Sequence, residues 1–228
     1  MSFEEEIKAV IYVLKKLADH RIPKITDGTT NFKTKDGTTN FKTKDGTTNF
    51  KTKQVAQARY SPLKANQIDN TFLSQRTSGD FGNKAVYLVP RREEEKTTIA
   101  LWCKWKLDND ICSFWFFLGI WQSPTRFIGY RYEMPEIGCN HNYYHVQPCR
   151  NLGNRDQEIP GALQISDRYP TWPLAAESAL ELLLCLIVSL YGMKGLIDLV
   201  ANVNSGANIR PNSALNLALK NMLSKLKK

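Results

Sequence analysis

Cysteine and histidine side chains recur at odd-numbered positions in the second half of the chain. Cys139, His141, His145 and Cys149 would therefore share one face of an extended strand. Cys and His are the common zinc ligands, but at about 3.3 Å per residue His141 and His145 would stand about 13 Å apart, too far for one zinc ion. We predict no metal and no cofactor, and we regard His141 and His145 as candidate catalytic residues.

Polar side chains accompany the two histidines. Tyr143 and Gln147 would share their face, and Arg131 belongs to the strand that we predict beside it. Histidine can transfer protons near neutral pH, and arginine can bind a phosphate group. Four interpretations stay open for this face: zinc binding if the segment bends at Asn140 or Pro148, catalysis, ligand recognition, and an aromatic sheet face whose histidines have no chemical role.

Other catalytic signatures are missing or coincidental. The chain has no Gly-x-Ser-x-Gly elbow, no phosphate loop and no Gly-x-Gly-x-x-Gly. Asp80-Phe81-Gly82 matches a kinase tripeptide, but no catalytic loop accompanies it, so we predict a turn. Glu177 and Glu181 have the spacing of paired acids on a helix, yet carboxylates at a helix start also stabilise the positive end of the dipole.

Five segments between residues 85 and 147 have the pattern of β-strands. The predicted strands are residues 85–89, 97–107, 111–121, 126–134 and 140–147. The second and fourth alternate apolar with polar residues, whereas the third is apolar on both faces, as expected of a covered central strand. The short connections predict an antiparallel meander that is rich in aromatic residues.

Helical patterns lie on both sides of these strands. Ser2 and Glu5 have the spacing of a capping box, which predicts an amphipathic helix within residues 1–26. Residues 174–191 are apolar nearly all round and end at Gly192, which predicts a long buried helix that covers the sheet, with a second helix after it. Strands followed by helices indicate the α+β class.

Three identical copies of Asp-Gly-Thr-Thr-Asn-Phe-Lys-Thr-Lys occupy residues 27–53. Identity at every position suggests a recent tandem duplication, and three short units with one Phe each are few for a solenoid. We predict a flexible or hairpin-like insertion, with a basic arm on nucleic acid and a structural repeat as alternatives. The predicted division is then a helix in 1–26, the repeats, an α+β core in 54–204 and a basic helix in 205–228.

The net charge of +9 is carried by the segments near the ends. Residues 1–26 contribute +1, residues 27–53 +3 and residues 205–228 +5, while residues 54–204 hold 15 basic and 15 acidic side chains and sum to zero. The candidate binding cations of the last segment are Lys220, Lys225, Lys227 and Lys228. They would suit DNA or RNA, although cations also complement the end of a helix.

The final helix carries an apolar stripe besides its lysines. The stripe consists of Leu215, Leu219, Met222 and Leu226. Such a helix can dock on its own domain, on another protein, or, through its charges, on nucleic acid or an anionic surface.

Composition and the N-terminal sequence indicate a cytoplasmic protein. Among 228 residues there are five Cys, an odd set that fits reduced thiols better than a disulfide scaffold. The start of the chain lacks the pattern of a secretory signal. Residues 182–191, the longest apolar stretch, are well short of the roughly 20 residues that span a bilayer, so we predict no membrane span.

Two short stretches give a weak resemblance to a known group of proteins. Asn140-His-Asn-Tyr-Tyr-His-Val-Gln-Pro148 and Tyr169-Pro-Thr-Trp-Pro-Leu-Ala-Ala-Glu-Ser-Ala-Leu-Glu-Leu-Leu-Leu182 resemble proteins encoded in bacterial anti-phage defence operons. The resemblance implies a small accessory subunit beside a nuclease or ATPase, and it carries no catalytic residue over.

We therefore expect a non-catalytic accessory or scaffold subunit of an antiviral defence assembly. It would bind another protein subunit and, through its basic tail, DNA or RNA. The alternative function is an enzyme that acts on nucleic acid or a phosphoester through His141 and His145.

Overall fold

The computed structural model combines five helices with one sheet in the part of the chain that it describes. The described residues are 3–19, 46–73, 77–90, 97–108, 111–135, 143–153, 158–163, 171–204 and 211–225. The helices are α1 (Phe3–Ala18), α2 (Gly46–Arg59), α3 (Ala65–Leu73), α4 (Ala179–Asn204) and α5 (Pro211–Lys225). The strands are β1 (Ser61–Pro62), β2 (Ser78–Asp80), β3 (Lys84–Leu88), β4 (Thr98–Asp108), β5 (Ile111–Ser123), β6 (Arg126–Glu133), β7 (His145–Cys149) and β8 (Trp172–Pro173). This arrangement confirms the predicted α+β class.

The sheet is an antiparallel meander with short additions. Its order is β1-β3-β4-β5-β6-β7-β8, and β2 pairs with β4 beside β3. The strands from β3 to β8 pair antiparallel with their neighbours, whereas β1 runs parallel to β3. The five predicted strands correspond to β3 through β7. The sheet has three more strands than the five predicted, because pairs and triplets of residues at β1, β2 and β8 give no recognisable periodicity.

The central strand β5 is buried on both sides, as its composition predicts. Phe116 and Phe117 are neighbours that point to opposite faces, and both are buried. On the first face, which we call the helix face, Phe72 of α3 stacks on Trp105 with ring centroids 4.1 Å apart. On the second face Trp102 packs edge-on against Phe117. We call this second face the polar face, because its outer half carries charged side chains.

Helix α4 begins later than the sequence predicts. Residues 172–173 pair with β7 as strand β8, so the helix starts at Ala179 instead of residue 174. The capping group is Ser178, whose Oγ accepts a hydrogen bond of 3.2 Å from the backbone N of Glu181. Gly192 interrupts the helix with φ 70 and ψ 179, which confirms the predicted end and the second helical segment after it.

The apolar part of α4 also has the length of a membrane-spanning helix. Ala179–Leu199 has a mean hydropathy of 1.9, and core helices of soluble proteins reach the same length and composition. In this fold Leu180, Leu183 and Ile187 are fully buried by other elements. The absence of a membrane span stays a prediction.

The last repeat forms part of a helix, which corrects the predicted linker or hairpin for residues 46–53. Thr and Asn are poor helix formers, but Ala56 in the same helix is buried in the core, and packing overrides weak propensity. Because α2 crosses the predicted boundary between residues 53 and 54, that boundary does not separate two structural units. The first two copies lie outside the described residues.

The helices near both ends pack on the rest of the protein. Val10 and Leu14 of α1 are fully buried, as the predicted amphipathic pattern requires, and α1 contacts α3, α4, α5 and β3. Leu215 and Met222 of α5 are buried against α1 and α4. Of the open interpretations for the apolar stripe, docking on its own domain is the one observed. Leu226 and Ser2 lie outside the described residues.

Candidate functional site

Four polar side chains meet on the polar face where β6 and β7 pair. The register places Arg131 opposite Gln147 and Glu133 opposite His145. Because alternate residues of a strand share a face, all four side chains lie on the same side of the sheet. We call Arg131, Glu133, His145 and Gln147 the Glu133 cluster.

The carboxylate of Glu133 is the centre of this cluster. Its Oε2 lies 3.0 Å from His145 Nε2 and accepts a bond of 2.9 Å from Gln147 Nε2. Its Oε1 lies 2.7 Å from Arg131 Nε. That Nε is buried and not aligned as a hydrogen-bond donor, so the contact is an ion pair. Since the Glu133 side chain is only 11% exposed, these groups compensate a charge that water scarcely reaches.

Both ring nitrogens of His145 have partners inside the protein. Nδ1 lies 3.0 Å from the backbone oxygen of Tyr143. Nε2 lies 3.0 Å from Glu133 Oε2, so both nitrogens face oxygen atoms of the protein, and the tautomer decides which of them donates. The ring is held by these two contacts and is 6% exposed, which leaves neither nitrogen directed at solvent.

Cys149, on the same face, does not provide a nucleophile. Burial raises the pKa of its thiol to about 12, with a smaller opposing effect from Arg131, so the thiol is protonated at neutral pH. Its Sγ donates to the backbone oxygen of Asn151 over 3.1 Å. Among the described residues no group of three or more His, Cys, Asp or Glu side chains is placed to hold a metal ion. Two of the four candidate ligands, Cys139 and His141, lie outside them.

Aromatic and basic side chains surround the cluster. The ring of Tyr143 is partly exposed and meets the ring of His145 edge-on, with centroids 5.5 Å apart. The Tyr143 hydroxyl is 2.8 Å from Thr171 Oγ1. On the other side of Glu133, the ammonium group of Lys104 lies 5.3 Å from the ring centre of Trp115. The outer half of the polar face is therefore a mixed aromatic and cationic surface.

A second buried glutamate lies where α4 begins. Glu181 accepts hydrogen bonds from Lys225 Nζ at 2.9 Å, from the backbone N of Glu177 at 2.9 Å and from Asn221 Nδ2 at 3.3 Å. Lys225 also lies 3.2 Å from Glu177 Oε1. We call Glu177, Glu181, Asn221 and Lys225 the Glu181 cluster. It ties the last helix to the first turn of α4.

The charges of the Glu181 cluster affect neighbouring groups. Burial by itself would lower the pKa of Lys225, but its hydrogen bonds to Glu181 and Glu177 outweigh that effect and raise it. The pKa of Tyr144 is raised by burial and, to a lesser extent, by the negative charges of Glu6, Glu181 and Glu177. Glu177 and Glu181 thus share a lysine of another helix, which favours the structural interpretation of this pair.

The predicted binding lysines have separate environments. Lys225 is held in the Glu181 cluster, whereas Lys220 is exposed on α5. Lys227 and Lys228 lie outside the described residues, so nucleic-acid binding by the tail stays a prediction. Asp80-Phe81-Gly82 forms the predicted turn, in which the backbone N of Gly82 donates to Asp80 Oδ1 over 2.6 Å.

The sequence predicts that Arg131, His145 and Gln147 lie together on one face. It does not identify Glu133 as the residue that all three contact. The signal was present, because Arg131 and Glu133 alternate along one strand while His145 and Gln147 alternate along the next. Only the register, which joins Glu133 to His145, turns these two patterns into one cluster. The partnership of Glu181 with Lys225 was also missed, since 44 residues separate them.

Comparison of the chain with protein-family models, with curated proteins and with solved structures gives no match. The resemblance to anti-phage defence proteins therefore stays a prediction.

Proposed function

We propose that the chain is a non-catalytic accessory or scaffold subunit of a cytoplasmic multiprotein assembly. The observation that supports this most is the engagement of both His145 nitrogens by oxygens of the protein itself. A general acid or base needs a nitrogen within hydrogen-bonding reach of the substrate. His145 instead orients Glu133 and the strand connection at Tyr143, which is the role of a structural residue.

The protein surface adds support for a binding partner. Strand β8 is the last in the sheet order, and Trp172 within it is 46% exposed. Tryptophan is enriched at protein interfaces, and the outer edge of a strand that is terminal among the described residues can pair with a partner strand. We place the partner subunit at this edge, and we propose an anti-phage defence complex as the assembly.

The alternative, an enzyme that acts on nucleic acid or a phosphoester through His141 and His145, has less support. His141 lies outside the described residues, so the alternative depends on His145. To act on a substrate, His145 would first have to release Glu133 or the Tyr143 carbonyl, and it is almost completely buried.

Expression of the chain with its neighbouring genes tests the proposal. We expect the tagged chain to copurify with a second protein, and the substitution Trp172→Ala to weaken that complex more than Leu217→Ala, which removes another exposed apolar side chain on α5. Recovery of the wild-type chain only as a single monomer would contradict the scaffold function.

The variants His145→Gln and His141→Ala separate the two functions. Gln at position 145 can still donate to Glu133 but cannot shuttle protons. We expect both variants to keep phage restriction by the complete operon. Loss of restriction in a variant that folds and still assembles would support the enzyme instead.

A further inference from the structure

We propose that the Glu133 cluster presents Arg131 as a binding site for the phosphate backbone of single-stranded nucleic acid. The inference rests on the proposed non-catalytic role of this face and adds a ligand class to it. The site differs from the basic tail at residues 205–228, since it is built on the sheet.

The first argument is the way in which Arg131 is held. Its Nε is buried beside Glu133, while the side chain as a whole is 37% exposed. The accessible part of the side chain therefore lies away from Nε. Within the described residues, Arg131 makes its polar contact with Glu133. A guanidinium has five N–H donors in a rigid fork that matches a phosphate group. The terminal amino groups remain for such a ligand.

The second argument is the charge of the cluster. Glu133 is only 11% exposed, and its Oε2 lies 3.0 Å from His145 Nε2 and 2.9 Å from Gln147 Nε2, so this carboxylate is directed inward, whereas the Arg131 side chain is 37% exposed. Farther along this face, Lys104 of β4 is paired with Asp80 of β2, so the charges of these two residues balance each other. At the surface the cluster therefore presents Arg131 to an anion as its accessible cation.

The third argument is the aromatic ring on the same face. Tyr143 is 39% exposed and lies four residues before Gln147, and Gln147 is paired with Arg131 on the neighbouring strand. Tyr143 lies before β7 with its ring 5.5 Å from that of His145, and at about 3.3 Å per residue Gln147 is about 7 Å farther along the strand than His145, so one phosphate group cannot touch both Tyr143 and Arg131. A chain with several phosphates and flat bases can contact both, with a phosphate on Arg131 and a base stacked on Tyr143. These features favour nucleic acid over an acidic peptide.

The test measures binding of fluorescein-labelled single-stranded DNA and RNA of about 15 nucleotides to the purified full chain by anisotropy. Arg131→Gln should weaken binding roughly tenfold and reduce the slope of log affinity against log salt by about 0.7, the value for one phosphate contact. Arg126→Gln is the matched control, since it removes the same charge from an exposed position on the same strand. It should leave affinity within about twofold.

Three further variants test the geometry of the two contacts. Arg131→Lys keeps the charge but loses the fork, so affinity should fall while the salt slope stays. If circular dichroism shows that Arg131→Gln does not fold, the affinity of Arg131→Lys tests the site instead. Tyr143→Leu should weaken binding roughly tenfold through lost stacking, and Tyr143→Phe should leave it unchanged. The RNA and DNA arms then identify which nucleic acid binds more tightly.

Four results would overturn the site. They are no oligonucleotide binding at low salt, equal losses in Arg126→Gln and Arg131→Gln, equal affinity for adenosine monophosphate, and an oligoglutamate peptide that binds more tightly with the same dependence on Arg131. All measurements use the isolated chain. Failure here is therefore distinguishable from failure of the copurification experiment.

Discussion

Two buried glutamates, Glu133 and Glu181, are each contacted by three polar groups, but they join different kinds of elements. Arg131, His145 and Gln147 reach Glu133 from neighbouring positions on two paired strands. The groups around Glu181 include Lys225 and Asn221 of α5, which are 44 and 40 residues away in the sequence. The first cluster forms within a sheet that its backbone already holds, and the second connects the last helix to the core.

This difference assigns a different role to each cluster. In the Glu181 cluster the cation is shared by two carboxylates, and little charge is left for a ligand. In the Glu133 cluster the carboxylate contacts Arg131, His145 and Gln147, and the Arg131 side chain reaches the surface. We therefore expect loss of Glu181 to affect stability most, and loss of Glu133 to affect both stability and the surface.

The largest expected effect is that of Glu181→Ala. Removing one partner of a buried ion pair leaves the other uncompensated, so the free energy of unfolding should fall by about 3 kcal/mol. Glu177→Ala is the control, because it removes a carboxylate from the same cluster whose side chain is 74% exposed, and its effect should be below about 1 kcal/mol. Urea denaturation measures both. Equal effects would mean that burial does not distinguish the two carboxylates.

Glu133→Gln should be next, with a loss of about 2 kcal/mol. The loss is smaller because solvent reaches Arg131 and the pairing of β6 with β7 remains. The matched control is Glu158→Gln, whose exposed carboxylate lies 3.7 Å from Arg150. It should change the free energy of unfolding by less than about 0.5 kcal/mol. If Glu133→Gln were as harmless as the control, the cluster would have no structural role.

The smallest of the three expected effects is that of Lys225→Met, about 1 kcal/mol at neutral pH, because Glu181 keeps its hydrogen bonds from Asn221 and from the backbone N of Glu177. The raised pKa of Lys225 means that its contribution is complete below the ordinary value of 10.5 and is lost as pH rises through the folded value. The difference in unfolding free energy between wild type and variant should thus be constant from pH 6 to about 10 and decrease above that. A difference that grows with alkaline pH would contradict this assignment.

The sheet could be predicted from sequence because its central strands have strong periodicity. Local composition alone gives the alternation in residues 97–107 and the uniformly apolar segment 111–121. The predicted ends of both strands lie within one or two residues of the observed ends. Strand β7 begins at His145 instead of residue 140, in the described part of the chain. Its start is set by its partner, since β6 ends at Glu133, which is paired with His145.

Elements that depend on tertiary contacts could not be predicted. Trp172 and Pro173 resemble the first turn of a helix, yet their pairing with β7 makes them a strand. Residues 46–53 are helical because the segment after them packs on the core. Likewise, the chemistry of His145 depended on where its ring nitrogens point, which pairing with Glu133 and the Tyr143 carbonyl determines.

The helix formed by the third repeat has a genetic consequence. Residues 45–53 are identical to residues 36–44 and 27–35, so an in-frame gain or loss of one unit by replication slippage leaves the sequence that enters α2 unchanged. The first half of α2 thus survives any such event as long as one copy remains. Copy number can therefore vary between lineages while the helix, and the core contact at Ala56, keep the same sequence.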